Sequence, residues 1–109
     1  MAGIDANDTA DLYFDIAPAD GDGLRVRING ELDITNVDAL ESAVGSALER
    51  RPGRLILDLS GLRFADSSAI ALWVRWSTAV HEIELRDVSP ILRRVIDSMG
   101  LADTLNVKS

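Results

Sequence analysis

The chain of 109 residues contains no cysteine. Disulfides, thiolate metal sites and a cysteine nucleophile are thereby excluded. It has one histidine, His81, too few for a histidine-based zinc site, and no Ser-His-Asp signature accompanies it. No apolar run approaches the ~18 residues that a membrane-spanning helix needs, so no membrane insertion is expected. The segment Met1–Ala6 has neither a basic n-region nor an apolar h-region and does not read as a signal peptide. Positive charge is in the minority: 11 basic against 18 acidic residues give a formal charge of −7. A surface of that sign repels nucleic acid and anionic membranes, which disfavours both as direct partners. No metal or cofactor motif is present; Gly21-Asp22-Gly23 matches neither a dinucleotide fingerprint nor a phosphate loop. The expectation is a soluble cytoplasmic protein that is not an enzyme and needs no cofactor.

What the chain does have is enough apolar content, 47%, for one core and one domain. Residues 1–10 are small and polar and read as a flexible tail, leaving 11–109 as a single domain. Leu12–Ile16 is a strand candidate. Leu24-Arg25-Val26-Arg27-Ile28 alternates apolar and basic, the pattern of a strand with one buried face. The Gly-rich turn 19–23 joins these strands into a hairpin. Thr35 or Asn36 is placed to cap a helix carrying Val37, Leu40, Val44, Ala47 and Leu48 at helical spacing. Pro52-Gly53 ends that segment. The apolar run over 54–59 predicts a strand buried on both faces.

A short loop then leads to Asp66, Ser67 and Ser68 at the start of a helix over 68–79. Unpaired N–H groups and the positive end of the helix dipole lie there. A hydroxyl in that place either caps the helix or accepts a phosphate. Glu82–Val88 alternates and predicts another strand. Ser89-Pro90 opens a last helix with Ile91, Leu92, Val95, Ile96 and Met99 as its apolar stripe and Gly100 after it. Residues 102–109 read as a short tail. The order β-β-α-β-α-β-α implies an α/β fold: a layered domain on a mixed, mostly parallel sheet with an N-terminal hairpin, its helices packed mainly on one face.

Three segments of this order resemble the STAS domain family (sulfate transporter and anti-sigma factor antagonist). They are Gly30-Glu31-Leu32-Asp33, the stretch from Leu57 to Ser68, and the stretch from Val88 to Leu101. The resemblance covers residues 12–105 and is similar in character to the stand-alone bacterial anti-sigma factor antagonists. It implies an antagonist that binds an anti-sigma factor which is also a serine kinase, and so releases a sigma factor. Phosphorylation of the residue after the loop aspartate, here Ser67, switches the antagonist off, and a phosphatase restores it. Ser68 is a secondary acceptor in this reading. An alternative is an accessory subunit of a lipid-transport ATP-binding cassette complex, with the Ser67 loop as a contact that is not phosphorylated. Two departures from the family pattern stand out. Ala69 replaces the usual glycine, and the segment 73–82 is short and glycine-free.

Individual residues divide as follows. Ser67 is read as a phosphoacceptor, against the plainer reading as a helix cap. Ser68 reads first as a cap, and Asp66 equally as a cap or a partner contact. Glu31 and Asp33 lack an accompanying base and are not a catalytic pair. The resemblance places Asp33 at the partner-facing edge. Trp73 reads as core, and Trp76 as a partly exposed interface anchor. The expected partner-binding set is Asp33, Asp66, Ser67, Ser68, Ala69 and Trp76. The sequence leaves the oligomeric state open.

Overall fold

Alternation in β3 decides how the sheet is oriented. Val26 and Ile28 are fully buried, while Arg25 and Arg27 point the other way. The computed structural model describes residues 12–108 and the backbone of Asp8–Thr9. Its elements are β1 (Asp8–Thr9), β2 (Leu12–Pro18), β3 (Gly23–Leu32), α1 (Val37–Leu48), β4 (Arg54–Ala65), α2 (Ser67–Ala79), β5 (Glu82–Arg86), α3 (Pro90–Ser98) and α4 (Ala102–Leu105). The strands lie in sequence order, β1-β2-β3-β4-β5. The β1–β2 and β2–β3 pairs are antiparallel, and β3–β4 and β4–β5 are parallel. Each parallel step is crossed by one helix, α1 and then α2. Within the flexible tail expected over residues 1–10, Asp8–Thr9 instead form a strand whose backbone pairs with Leu12 and Tyr13 of β2; the rest of that tail lies outside the described residues.

All four helices deliver side chains to one core, on one face of the sheet. Leu12, Phe14, Val26, Ile28, Leu55, Leu57 and Leu85 from the strands meet Leu40, Val44, Leu72, Trp73, Trp76, Leu92, Ile96 and Leu105 from the helices. The other face is an open lattice of charge. Arg27 pairs with Asp58 at 3.4 Å, and Glu84 takes Arg54 at 2.6 Å together with Arg86.

The structure departs from the sequence reading at four places. β4 is central, but it is not buried on both faces. Ile56 alone is covered on the open side, between its register partners Arg25 and Glu84, while Asp58 and Ser60 face outward. Second, residues 60–65 are not a loop; β4 continues to Ala65, pairing with the far half of β3. The ladder slips near Gly30, whose φ of 95° is a conformation that suits glycine. Third, the apolar arc of α3 is wider than the core it serves. Leu92 and Ile96 are buried, but Ile91, Val95 and Met99 are exposed. Fourth, residues 102–108 are more than a tail. They form α4, and Val107 then bridges to Leu85 beside β5.

Both ends of α3 follow the sequence. The Ser89 hydroxyl accepts from the Leu92 N–H, and Pro90 occupies the first turn. At the far end Leu101 N–H donates to the Ile96 carbonyl and Gly100 N–H to the Asp97 carbonyl, with Gly100 at φ 73°.

Candidate functional site

The long β4 carries the chain to the edge of the sheet, where a single extended residue separates it from α2. That residue is Asp66, the N-cap. Its Oδ1 accepts from Ser68 N (2.9 Å), Ser68 Oγ (2.5 Å) and Ala69 N (3.3 Å). Oδ2 reaches across to accept from the N–H of Ile34, at 3.2 Å, in the loop after β3. Asp66 N–H in turn donates to the Leu32 carbonyl at 3.2 Å. One carboxylate thus caps α2 and ties it to a segment 32 residues earlier in the chain. Burial pushes the Asp66 carboxyl up, but the hydrogen bonds from Ser68, Ala69 and Ile34 outweigh it and hold the group below the usual aspartate value.

This assigns the cap to Asp66, and the two serines separate. Ser68 spends its hydroxyl proton on Asp66. Ser67, the first residue of α2, is exposed, and its Oγ has no hydrogen-bond partner among the described residues. Among the described residues no base is hydrogen-bonded to it. His81 precedes β5, beyond the opposite end of α2. Among the described residues no group of three or more His, Cys, Asp or Glu side chains is placed to hold a metal. The arrangement suits a hydroxyl that accepts a group or meets a partner.

Asp33 lies in the loop tied by Asp66. Its Oδ1 accepts from the Thr35 N–H at 2.9 Å and from the Thr35 hydroxyl, and its carbonyl accepts from Asn36 and Val37 N–H. Neither Thr35 nor Asn36 caps α1 through its side chain. Asn36 occupies the N-cap position, but its Oδ1 accepts from Asp33 N and its Nδ2 donates to the Glu31 carbonyl. It is buried, with 7% exposure. An asparagine turned inward to hold its own loop is unavailable as a cap.

Asp33, Asp66, Ser67 and Ser68 are therefore brought together. Two other members of the expected set are not. Ala69 is fully buried, and Trp76 is 4% exposed within the core beside Trp73. Trp76 follows Trp73 by one helical turn, so both point toward the sheet, and neither offers an aromatic anchor to a partner. The segment after them is as short as its sequence suggests. α2 runs to Ala79, and only Val80 and His81 precede β5. Sequence reasoning missed two exposed apolar residues at this edge, Ile34 (71%) and Phe64 (52%). The available signal was an isoleucine set among Asp33, Thr35 and Asn36, where no helical or strand period requires it.

Comparison with known proteins places this geometry among relatives. A family model described as "Mlab, STAS domain" matches residues 17–107. The chain is 31% identical over 98 residues to the anti-sigma-F factor antagonist RsfB of Mycobacterium tuberculosis, covering 86% of this chain and 80% of that one. It is 31% identical over 83 residues to an anti-sigma F factor antagonist of Paenibacillus polymyxa, covering 72% and 71% of the two chains. Among solved structures, an anti-sigma factor antagonist from Mycobacterium paratuberculosis matches with a TM-score of 0.80 at 25% identity, over 88% of this chain and 84% of that one. Unphosphorylated SpoIIAA shares the fold, with a TM-score of 0.75 at 22% identity over 88% of both chains.

Proposed function

The chain belongs to the STAS domain family, and we propose that it is an anti-sigma factor antagonist switched at Ser67. In this reading it binds an anti-sigma factor that is also a serine kinase, frees a sigma factor, and is turned off when that kinase phosphorylates Ser67. A phosphatase reverses the step. The protein contributes a binding surface and no catalysis; the relatives it resembles are anti-sigma F factor antagonists.

One observation carries the choice of Ser67. Of the two adjacent hydroxyls, it alone is exposed and uncommitted. Phosphate adds about −1.5 to −2 charges at neutral pH. The N–H groups of Ser68 and Ala69, which would otherwise receive an anion at this helix start, already serve Asp66. A phosphate on Ser67 therefore stands in solvent beside a carboxylate, favoured by the helix dipole but not absorbed into the fold. A partner shaped for a neutral hydroxyl would have to desolvate that charge or face its repulsion. A loss of about 1.4 kcal/mol already weakens binding tenfold, and like-charge contacts cost more. Such a switch needs no change of backbone. The same fold has been solved for SpoIIAA in a phosphorylated form, to which this chain matches with a TM-score of 0.69.

The test uses native protein, Ser67→Ala and Ser67→Asp as baits in host lysate, with captured proteins identified by mass spectrometry. The reading expects a serine-kinase anti-sigma factor on the native and Ala baits and its loss from the Asp bait. Capture of one transporter ATPase by all three baits, or of nothing, overturns it.

A further inference from the structure

Exposed apolar side chains at the Ser67 edge do not belong to the switch chemistry. Ile34 is 71% exposed in the loop after β3, and Phe64 is 52% exposed near the end of β4. They come from distant parts of the chain but meet one network. Asp66 Oδ2 accepts from Ile34 N–H at 3.2 Å, and Phe64 lies two residues before Asp66, paired with Glu31. The Ile34 loop is held further by the inward-turned Asn36 and by the Asp33–Thr35 bonds. An isoleucine presented by a loop with so many internal bonds loses little freedom when bound, and an exposed aromatic side chain on the paired strand β4 adds contact area, the composition of an interface centre.

Two carboxylates, Asp33 and Asp66, lie on the same two segments. Neither Asp33 nor Asp66 has a cationic partner among the described residues, whereas the nearby Arg63 is engaged by Glu31 at 3.7 Å. We infer that Ile34 and Phe64 are the apolar anchors of the partner-facing surface, on two segments that Asp66 ties together beside Ser67. The surface fits a protein partner that offers an apolar recess with a basic rim. The identity of that partner rests on the antagonist reading. A second exposed apolar group, Ile91, Val95 and Met99 on α3, has no hydrogen-bonded link to this network among the described residues and serves as the control surface.

The probe is the anti-sigma factor recovered by the native bait, purified and measured by surface plasmon resonance. Ile34→Ser and Phe64→Ser are each expected to weaken binding about tenfold or more, through faster dissociation. Asp33→Asn is expected to slow association and lessen its salt dependence. Ile91→Ser is expected to bind within about twofold of native. Thermal unfolding checks each variant. If Phe64→Ser fails to fold, the Ile34 variant, altered at a site 71% exposed, carries the test alone. Native affinity in both anchor variants, with binding abolished by Ser67→Asp, overturns the anchors and leaves the antagonist reading standing. Weakened binding in both, with Ser67→Asp binding as native does, supports the anchors and removes the phospho-switch. A concentration-dependent dimer that both anchor variants abolish overturns the assignment to a different protein, because the occupant is then a second copy.

Discussion

Replacing Asp66 by alanine probes the site through stability, with no partner needed. The substitution removes a carboxylate that accepts from Ser68 N, Ser68 Oγ, Ala69 N and Ile34 N. Loss of an N-cap costs about 1 kcal/mol, within a range of roughly 0.5–2. The Ile34 N–H lies in an exposed loop, so water replaces much of its bond, and about 0.5–1 kcal/mol is a fair allowance for it. The total is roughly 1.5–2 kcal/mol, which lowers the melting temperature of a domain this size by roughly 6–16 °C. Asp66→Asn retains a capping oxygen, since asparagine caps about as well as aspartate, and should cost about 1 kcal/mol or less. Calorimetry and urea titration at neutral pH measure both.

The pH dependence follows from the depressed carboxyl of Asp66. A folded-state value below the unfolded one, about 3.9, means that the unfolded chain takes up the proton first as pH falls. The stabilisation is complete above that unfolded value and disappears as pH drops through the folded one. Native protein and Asp66→Asn should therefore differ at neutral pH and converge in acid. An Asp66→Ala protein that melts within about 2 °C of native would refute the claim that this carboxylate holds the two segments together.

Ser67→Asp should leave the fold intact, with stability within about 1 kcal/mol of native, because the helix dipole favours the new charge while Asp66 opposes it; urea unfolding measures this, and a larger loss would show that Ser67 has a structural role. Trp73 and Trp76 are the only tryptophans and both are buried. Native fluorescence should be blue-shifted and resist iodide quenching, and Trp73→Ala, which empties a fully buried site, should cost about 3–5 kcal/mol. Glu84→Gln removes the negative charge shared by Arg54 and Arg86 and turns one of its two acceptor oxygens into a donor amide. The arginines keep partial contact with water, so a loss of about 1–2 kcal/mol is expected by urea unfolding at neutral pH. Burial pushes the Glu84 carboxyl up, but Arg86 and Arg54 bring it below the usual value. Its contribution is likewise present above the unfolded glutamate value, about 4.3, and lost in acid.

Some elements were legible because their signals are local. The alternation at 24–28, the serine-proline opening of α3 and the glycine closing it each act over a few residues, and the structure keeps all three. The pairing of 60–65 was not legible. That segment, with its Ser, Gly and Arg, reads as a loop until the far half of β3 lies beside it with a slip at Gly30. The burial of Trp76 was hidden for a similar reason, since helical spacing puts Trp73 and Trp76 on one side without saying how far the sheet reaches beneath them.

The site divides in the same way. The sequence by itself determined that a carboxylate and two hydroxyls stand at the start of α2, because an extended residue followed by a helical apolar run leaves N–H groups there for Asp66 to satisfy. Tertiary structure alone decided what that arrangement presents. Only when β3 and β4 pair does Asp66 reach Ile34, and Ile34 and Phe64 come to the same edge as Ser67. The physical reason is range. Caps and turns are closed by neighbours in the chain, whereas a surface made of two segments exists only after the sheet has brought residues 31–34 against residues 64–67.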